Sequence, residues 1–204
     1  MTTTTVPDIL TGTQLFMEAA AQLPGLGWQD SATRNLRREL LAEEVNEYLD
    51  ADDQDDLVEV VDGLLDIVVV AHGSRLAYGR DDTMFLIGIA QRRQWEDREA
   101  RRRFRLAIEQ SADAYFEAED RDNLTDALIH LANLVQYAAN ALDGLVGEDV
   151  ARACAGEVTR SNLSKIVDSK VLRRADGKIM KPNSFSAPDI AGVLAAAGLV
   201  EVQP

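Results

Sequence analysis

The chain has 204 residues, with 35 acidic and 21 basic side chains and a formal net charge of −14. This excess of negative charge repels nucleic acid backbones and argues against a DNA- or RNA-binding role. Hydrophobic residues make up 46% of the chain and aromatic residues only 5%, so we expect an ordered protein whose helices pack through aliphatic side chains.

The single cysteine, the amino terminus and the length of the apolar stretches argue against disulfide-stabilised, secreted and membrane-spanning proteins. Cys154 is the only cysteine, so the chain can form no intrachain disulfide and no cysteine metal cluster. Residues 1–7 lack the basic and apolar regions of a signal peptide, and the longest apolar stretch, 64–71, is interrupted by Asp66. We therefore expect a cytoplasmic protein with neither a membrane nor a nucleic acid partner.

The spacing of apolar residues predicts an all-α fold with eight helices. The predicted helices cover residues 12–23, 31–50, 56–78, 81–94, 97–119, 122–143, 147–161 and 187–197. The acidic tract 50–56 is predicted to be a loop whose last aspartates cap the next helix. An Asp-Gly pair at 176–177 lies between short apolar runs, which indicates a hairpin or tight loop over 171–179.

The chain also matches itself when it is shifted by 67 residues. Trp28 aligns with Trp95, Arg34 with Arg101, and several later positions follow; the matches include Tyr48/Tyr115, Asp53/Asp120, Asp55/Asp122, Leu57/Leu124 and Leu64/Leu131. We predict a bundle of two tandem repeats, with an active repeat at 1–94, a degenerate repeat at 95–160 that completes the bundle, and a basic segment at 161–204 that closes over the site.

Two groups of carboxylates are spaced to share helical faces in the first repeat. The residues are Glu43, Glu44, Glu47, Glu59, Asp62 and Asp66. Their separations of three or four residues place each group on one stripe, and a short loop brings the two helices together antiparallel. Converging carboxylates among apolar residues repel one another, and a hard cation such as Mg²⁺ or Mn²⁺ removes that cost.

Two other metal sites fit the sequence poorly. The tract 50–56 lacks the glycine and the closing glutamate of a calcium loop. A di-iron carboxylate bundle requires Glu-x-x-His pairs, but the residues three positions before His72 and His130 are Val69 and Ala127.

Glu43-Glu44-x-x-Glu47 followed by Glu59-x-x-Asp62 resembles the signature of the MazG-like all-α nucleoside triphosphate pyrophosphohydrolases. This superfamily also includes the dimeric dUTPases and phosphoribosyl-ATP pyrophosphohydrolase. A second stretch, made up of residues 157–165, 176–178 and 181–183, looks like the tail of phage and bacterial MazG-like proteins. The resemblance implies a MazG-like helical bundle that hydrolyses a nucleoside triphosphate to the monophosphate and pyrophosphate, with dUTP or dGTP among the candidate substrates.

The resemblance also implies roles for individual residues. Glu44, Glu47, Glu59 and Asp62 would bind Mg²⁺, for which Mn²⁺ can substitute, and Glu43 would be either a further ligand or the base that orients water. The tail is locally basic, so we expect it to contact the substrate, together with Asp66, through Asn162, Lys165, Lys178 and Lys181. Trp28 is either a stacking partner for the base or part of the core.

Alternative functions remain open at the level of sequence. In the second repeat Glu43, Glu44, Glu47 and Asp62 align with Gln110, Ser111, Ala114 and Ile129. This loss of carboxylates is compatible with a non-enzymatic nucleotide-binding or regulatory protein. The strong negative charge is also compatible with an acidic DNA mimic. We expect a homodimer, with a monomer as the alternative.

Overall fold

A computed structural model describes residues 6–23, 27–80, 98–173 and 179–201. Seven helices and one two-stranded hairpin occupy these residues: α1 (Ile9–Ala19), α2 (Ser31–Gln54), α3 (Leu57–Ala77), α4 (Arg98–Asp120), α5 (Leu124–Val146), α6 (Glu148–Leu163), β1 (Ile166–Val167), β2 (Lys170–Val171) and α7 (Ile190–Ala196). The predicted all-α bundle is confirmed, while the predicted helix at 81–94 lies outside the described residues.

The centre of the bundle consists of two antiparallel helical hairpins, α2–α3 and α4–α5. The short connections after Gln54 and Asp120 require antiparallel packing. Helix α3 is the most buried element and packs against α2, α5 and α1, while α6 packs against α1 and α5. Apolar residues of α3 occupy nearly all of its faces, as expected for a helix that other elements enclose on nearly every side. No helix of the described ranges is long and apolar enough to cross a membrane.

The acidic tract differs from its predicted conformation. Helix α2 continues to Gln54, and only Asp55, in the left-handed conformation with φ 56°, and Asp56 lie outside it. The helix extends this far because Asp52 accepts hydrogen bonds from Arg101 at 2.6 Å and Arg105 at 2.8 Å. Asp56 caps α3 as predicted, because its carboxylate accepts from the backbone N–H groups of residues 58 and 59.

The tail contains a hairpin that the sequence reasoning missed. Strands β1 and β2 pair antiparallel, and the turn residues Asp168 and Ser169 both have positive φ, of 49° and 62°. This is the backbone geometry of a type I′ hairpin turn. The predicted Asp-Gly turn lies in residues 174–178, outside the described part, but Arg173 and Ile179 form an antiparallel bridge on either side of it.

Reciprocal ion pairs join the two central hairpins. The pairs are Arg34–Asp122 at 2.5 Å, Arg101–Asp55 at 2.7 Å, Arg38–Asp120 at 3.1 Å and Arg105–Asp53 at 2.5 Å. The first two pairs are related by the shift of 67 residues, because Arg101 lies 67 positions after Arg34 and Asp55 lies 67 positions before Asp122. The last two pairs are related in the same way. Two-fold related subunits make contacts of this isologous kind. The pattern supports the proposed tandem repeat, which stays a prediction.

Candidate active site

A cavity of about 700 Å³ lies between α1, α2, α3, the end of α6 and the tail. Its wall includes six of the residues that the sequence singled out: Glu43, Glu44, Asp66, Asn162, Lys165 and Lys181. The carboxylates come from α2 and α3, whereas the lysines and the asparagine come from the end of α6 and the segment after it. One cavity therefore has an acidic wall and a basic wall, although the two sets are about 100 residues apart in sequence.

A close approach of α2 and α3 positions the acidic wall. A Cβ atom added to Gly63 would lie 3.0 Å from both Cα and Cβ of Tyr48, so the absence of a side chain at Gly63 allows this contact. Gly63 follows Asp62 directly and lies three residues before Asp66. The glycine therefore brings the acidic stripe of α3 next to that of α2.

Burial and mutual repulsion perturb the carboxylates of the acidic wall. Burial raises the pKa of Glu44 to about 8, and the negative charges of Asp66 and Glu47 add to this effect. Burial also raises the pKa of Asp66 to about 7, with Asp62 contributing in the same direction and Lys165 opposing it. The pKa of Asp62 is raised by burial and by Glu59. The site therefore holds its acids under electrostatic strain, as functional sites often do.

Lys165 is a half-buried cation near these acids. Burial lowers the pKa of its ammonium group, while the carboxylate of Asp66 acts in the opposite direction. Its Nζ donates a hydrogen bond to Oδ1 of Asn162 at 2.8 Å and lies 5.8 Å from the ring centres of Phe16 and Phe185. Lys181 lies over the Phe185 ring at 4.7 Å. These contacts hold two cations at the wall, and among the described residues neither cation forms an ion pair with a carboxylate.

Three predicted metal ligands stand outside the cavity wall. Glu47 and Glu59 are exposed and Asp62 is half-buried. The negative charges of Glu47 and Asp62 nevertheless raise the pKa of Glu44 at the wall, and that of Glu59 raises the pKa of Asp62. Among the described residues, no three His, Cys, Asp or Glu side chains are arranged closely enough to hold one metal ion. The chemistry of the donors fits a hard cation, because such an ion relieves the repulsion between partly buried carboxylates. Lys178 lies outside the described residues.

The structure decides between the two roles considered for Trp28 and adds Arg37 to the residues of the cavity wall. Trp28 lies in the core, 6% exposed, with its ring 5.2 Å from that of Tyr78 in an edge-on contact, and it does not line the cavity. Arg37 was missed: it is only 6% exposed and lines the cavity. Its burial could have been predicted from the sequence, because Arg37 lies on the apolar stripe of α2, one turn before Leu41 and two turns before Val45.

Comparison with known proteins finds one family. Residues 14–83, about a third of the chain, match the family model of phosphoribosyl-ATP pyrophosphohydrolase. Searches of curated proteins and of solved structures gave no significant match. The matched segment contains both carboxylate groups, whereas Asn162, Lys165 and Lys181 lie beyond it. Residues 14–83 thus match the superfamily of MazG-like all-α nucleoside triphosphate pyrophosphohydrolases, as the sequence motif predicted.

Proposed function

We propose that this chain is a Mg²⁺-dependent nucleoside triphosphate pyrophosphohydrolase that converts a (d)NTP into the monophosphate and pyrophosphate. The family match supports a hydrolase that acts on an acid anhydride in a nucleotide-like substrate. The observation that carries the proposal is the cavity, which has strained carboxylates on one side and lysines on the other. A polyphosphate chain held by metal on one side requires cations on the other.

Glu44, Glu47, Glu59 and Asp62, whose side chains do not converge on one point in the described arrangement, would turn toward one another to hold the metal, with Mn²⁺ as a substitute. When bound, the ion would polarise the phosphates and make a water molecule more acidic. Glu43 lies at the same wall, where it would either complete the ligand set or orient the attacking water. Lys165, held by Asn162, and Lys181 would offset the negative charge on the transferred phosphates.

The substrate of this reaction is best found by screening nucleoside triphosphates for released pyrophosphate, starting with dUTP and dGTP. We expect a monophosphate and pyrophosphate as products, and activity that disappears when Mg²⁺ is removed. Asp62→Ala and Glu47→Ala should each lower kcat/KM by about 10²-fold or more while helicity by circular dichroism is retained. Asp113→Ala, which removes an exposed carboxylate of α4, is the matched control and should retain activity.

Three outcomes would contradict the proposal. Release of a diphosphate and free phosphate would indicate attack at the γ-phosphate. Full activity in Asp62→Ala would show that the carboxylate of Asp62 is not needed for the reaction. Nucleotide binding without hydrolysis of any substrate would favour the alternative of a non-enzymatic nucleotide-binding protein, for which the separation of the described carboxylates is the supporting observation.

A further inference from the structure

Arg37 is a buried guanidinium group at the wall of the same cavity. It is 6% exposed, and its Nη2 donates a hydrogen bond to Oε1 of Gln22 at 2.7 Å. Among the described residues, its buried Nε has no hydrogen-bond partner and no carboxylate forms an ion pair with the guanidinium group. Leaving a buried charge in this state costs several kcal/mol. The arrangement therefore suggests that a ligand supplies the missing acceptor.

The backbone of α3 is shaped around this guanidinium group. A Cβ atom added to Gly73 would lie 3.2 Å from Nη1 of Arg37, with Sδ of Met17 at 3.5 Å and a methyl carbon of Thr13 at 3.7 Å. The guanidinium group thus sits in a fitted space between α1 and α3. Its position is built into the packing, in contrast to the mobile position of an arginine on a solvated helix face.

The pair formed by Arg37 and Gln22 offers a ligand mostly hydrogen-bond donors, because one lone pair of the Gln22 amide oxygen already accepts from Arg37. Arginine has no acceptor, so the atom of Gln22 that it contacts must be the amide oxygen. The amide Nε2 of Gln22 is then left with two N–H groups, and no described residue accepts a bond from it. Gln22 also lines the cavity. Both residues of the pair therefore present N–H donors at this end of the cavity, and these donors outnumber the one lone pair left on the amide oxygen of Gln22.

A nucleobase with exposed carbonyl groups fits such a donor pair. Guanine presents O6 and N7 as acceptors, and uracil and thymine present O4, whereas adenine and cytosine place an amino donor at the corresponding position. Apolar side chains, among them Phe16, Met17 and Val69, provide surfaces for the faces of a planar base. A donor facing an amino group would leave both groups without a partner, which strongly disfavours binding.

The position along α2 agrees with such a ligand. Arg37 and Glu44 are seven residues apart, so they lie on the same face of the helix and are separated by about 10 Å along its axis. This is the scale of a nucleoside 5′-phosphate, with its base at Arg37 and its phosphates at the carboxylates. We propose that Arg37 and Gln22 recognise the base and select oxo-bearing nucleotides over amino-bearing ones. This inference rests on the proposed function.

The test compares dGTP and dUTP with dATP and dCTP as substrates, and the four monophosphates as ligands in EDTA by calorimetry. We expect kcat/KM and affinity to favour the oxo bases by at least about tenfold, the usual discrimination of a good paired contact. Gln22→Glu replaces the free donor by an acceptor and should reduce this ratio at least tenfold. Gln110→Glu, at an exposed position of α4, is the matched control and should leave the ratio unchanged.

Arg37→Met is the second variant, and circular dichroism would establish whether it folds. If it lowers kcat/KM equally for all four bases, Arg37 contacts phosphate and the inference is wrong. The inference also fails if wild-type protein treats all four bases alike, or if Gln22→Glu leaves the ratio unchanged. A preference in monophosphate binding without any hydrolysis would refute the proposed function and keep the inference. If no monophosphate binds and no triphosphate is hydrolysed, both are overturned.

Discussion

Replacing Asp66 by asparagine should stabilise the metal-free protein, although Asp66 is part of the candidate site. Burial and the charge of Asp62 raise the pKa of Asp66 from 3.8 to about 7. In EDTA at pH 8 the folded protein must therefore keep a strained carboxylate ionised. Asparagine has nearly the same shape and no charge, so the variant should unfold at a higher urea concentration than the wild type.

The magnitude follows from the shift in pKa. One pKa unit corresponds to about 1.4 kcal/mol, so a rise from 3.8 to about 7 sets an upper limit of about 4 kcal/mol. Asp66 is half-buried at a cavity wall, where water screens part of this strain. We expect a gain of about 1–3 kcal/mol in the free energy of unfolding at pH 8.

The sign of the pH dependence is fixed by the direction of the shift. Because the pKa is raised on folding, the wild-type protein has the full stability of protonated Asp66 below pH 3.8 and loses it as pH rises through about 7. The difference between the variant and the wild type should therefore be small at pH 4 and grow toward pH 8. Urea unfolding in EDTA at several pH values measures it, with Asp113→Asn on the exposed face of α4 as the control. An Asp66→Asn protein that is less stable than wild type at pH 8, or whose difference from it is the same at pH 4, would refute the reasoning.

Two further substitutions test the packing that supports the site. Gly63→Ala places a Cβ atom 3.0 Å from Tyr48, which should separate α2 from α3 and lower the free energy of unfolding by about 1–3 kcal/mol in urea titrations; an unchanged midpoint would contradict the close approach. Asp52→Ala removes the nearly buried partner of both Arg101 and Arg105 and should cost about 1–3 kcal/mol by the same measurement, whereas an effect below 0.5 kcal/mol would mean that the ion pairs contribute little.

Local patterns predicted much of the helical architecture. The three- and four-residue spacing of apolar residues located α2 and α3, and Asp56 was recognisable as a cap because it precedes an apolar helix. The end of α2 was wrong because aspartates in series favour a loop locally. The partners of Asp52 are 49 and 53 residues away, on another helix, and no local pattern reveals them.

In the candidate site, too, the features that depend on local spacing could be predicted from the sequence, and those that depend on distant residues could not. The acidic stripes follow from spacing alone, since carboxylates three and four residues apart share a helix face. Arg37 was overlooked because an arginine on a helix is usually solvated. Its burial depends on α1 and on Gly73, which cover it only when the bundle assembles. The hairpin after α6 was overlooked because Asp168-Ser169 is a weaker turn signal than the Asp-Gly pair that follows.

The reciprocal ion pairs between the central hairpins also bear on how the protein behaves on dilution. Contacts of this form between two separate subunits weaken as the protein concentration falls, since association is then bimolecular. Here both partners of every pair belong to one polypeptide, so each hairpin meets the other at a constant effective concentration. The contact between the two hairpins therefore does not depend on the protein concentration.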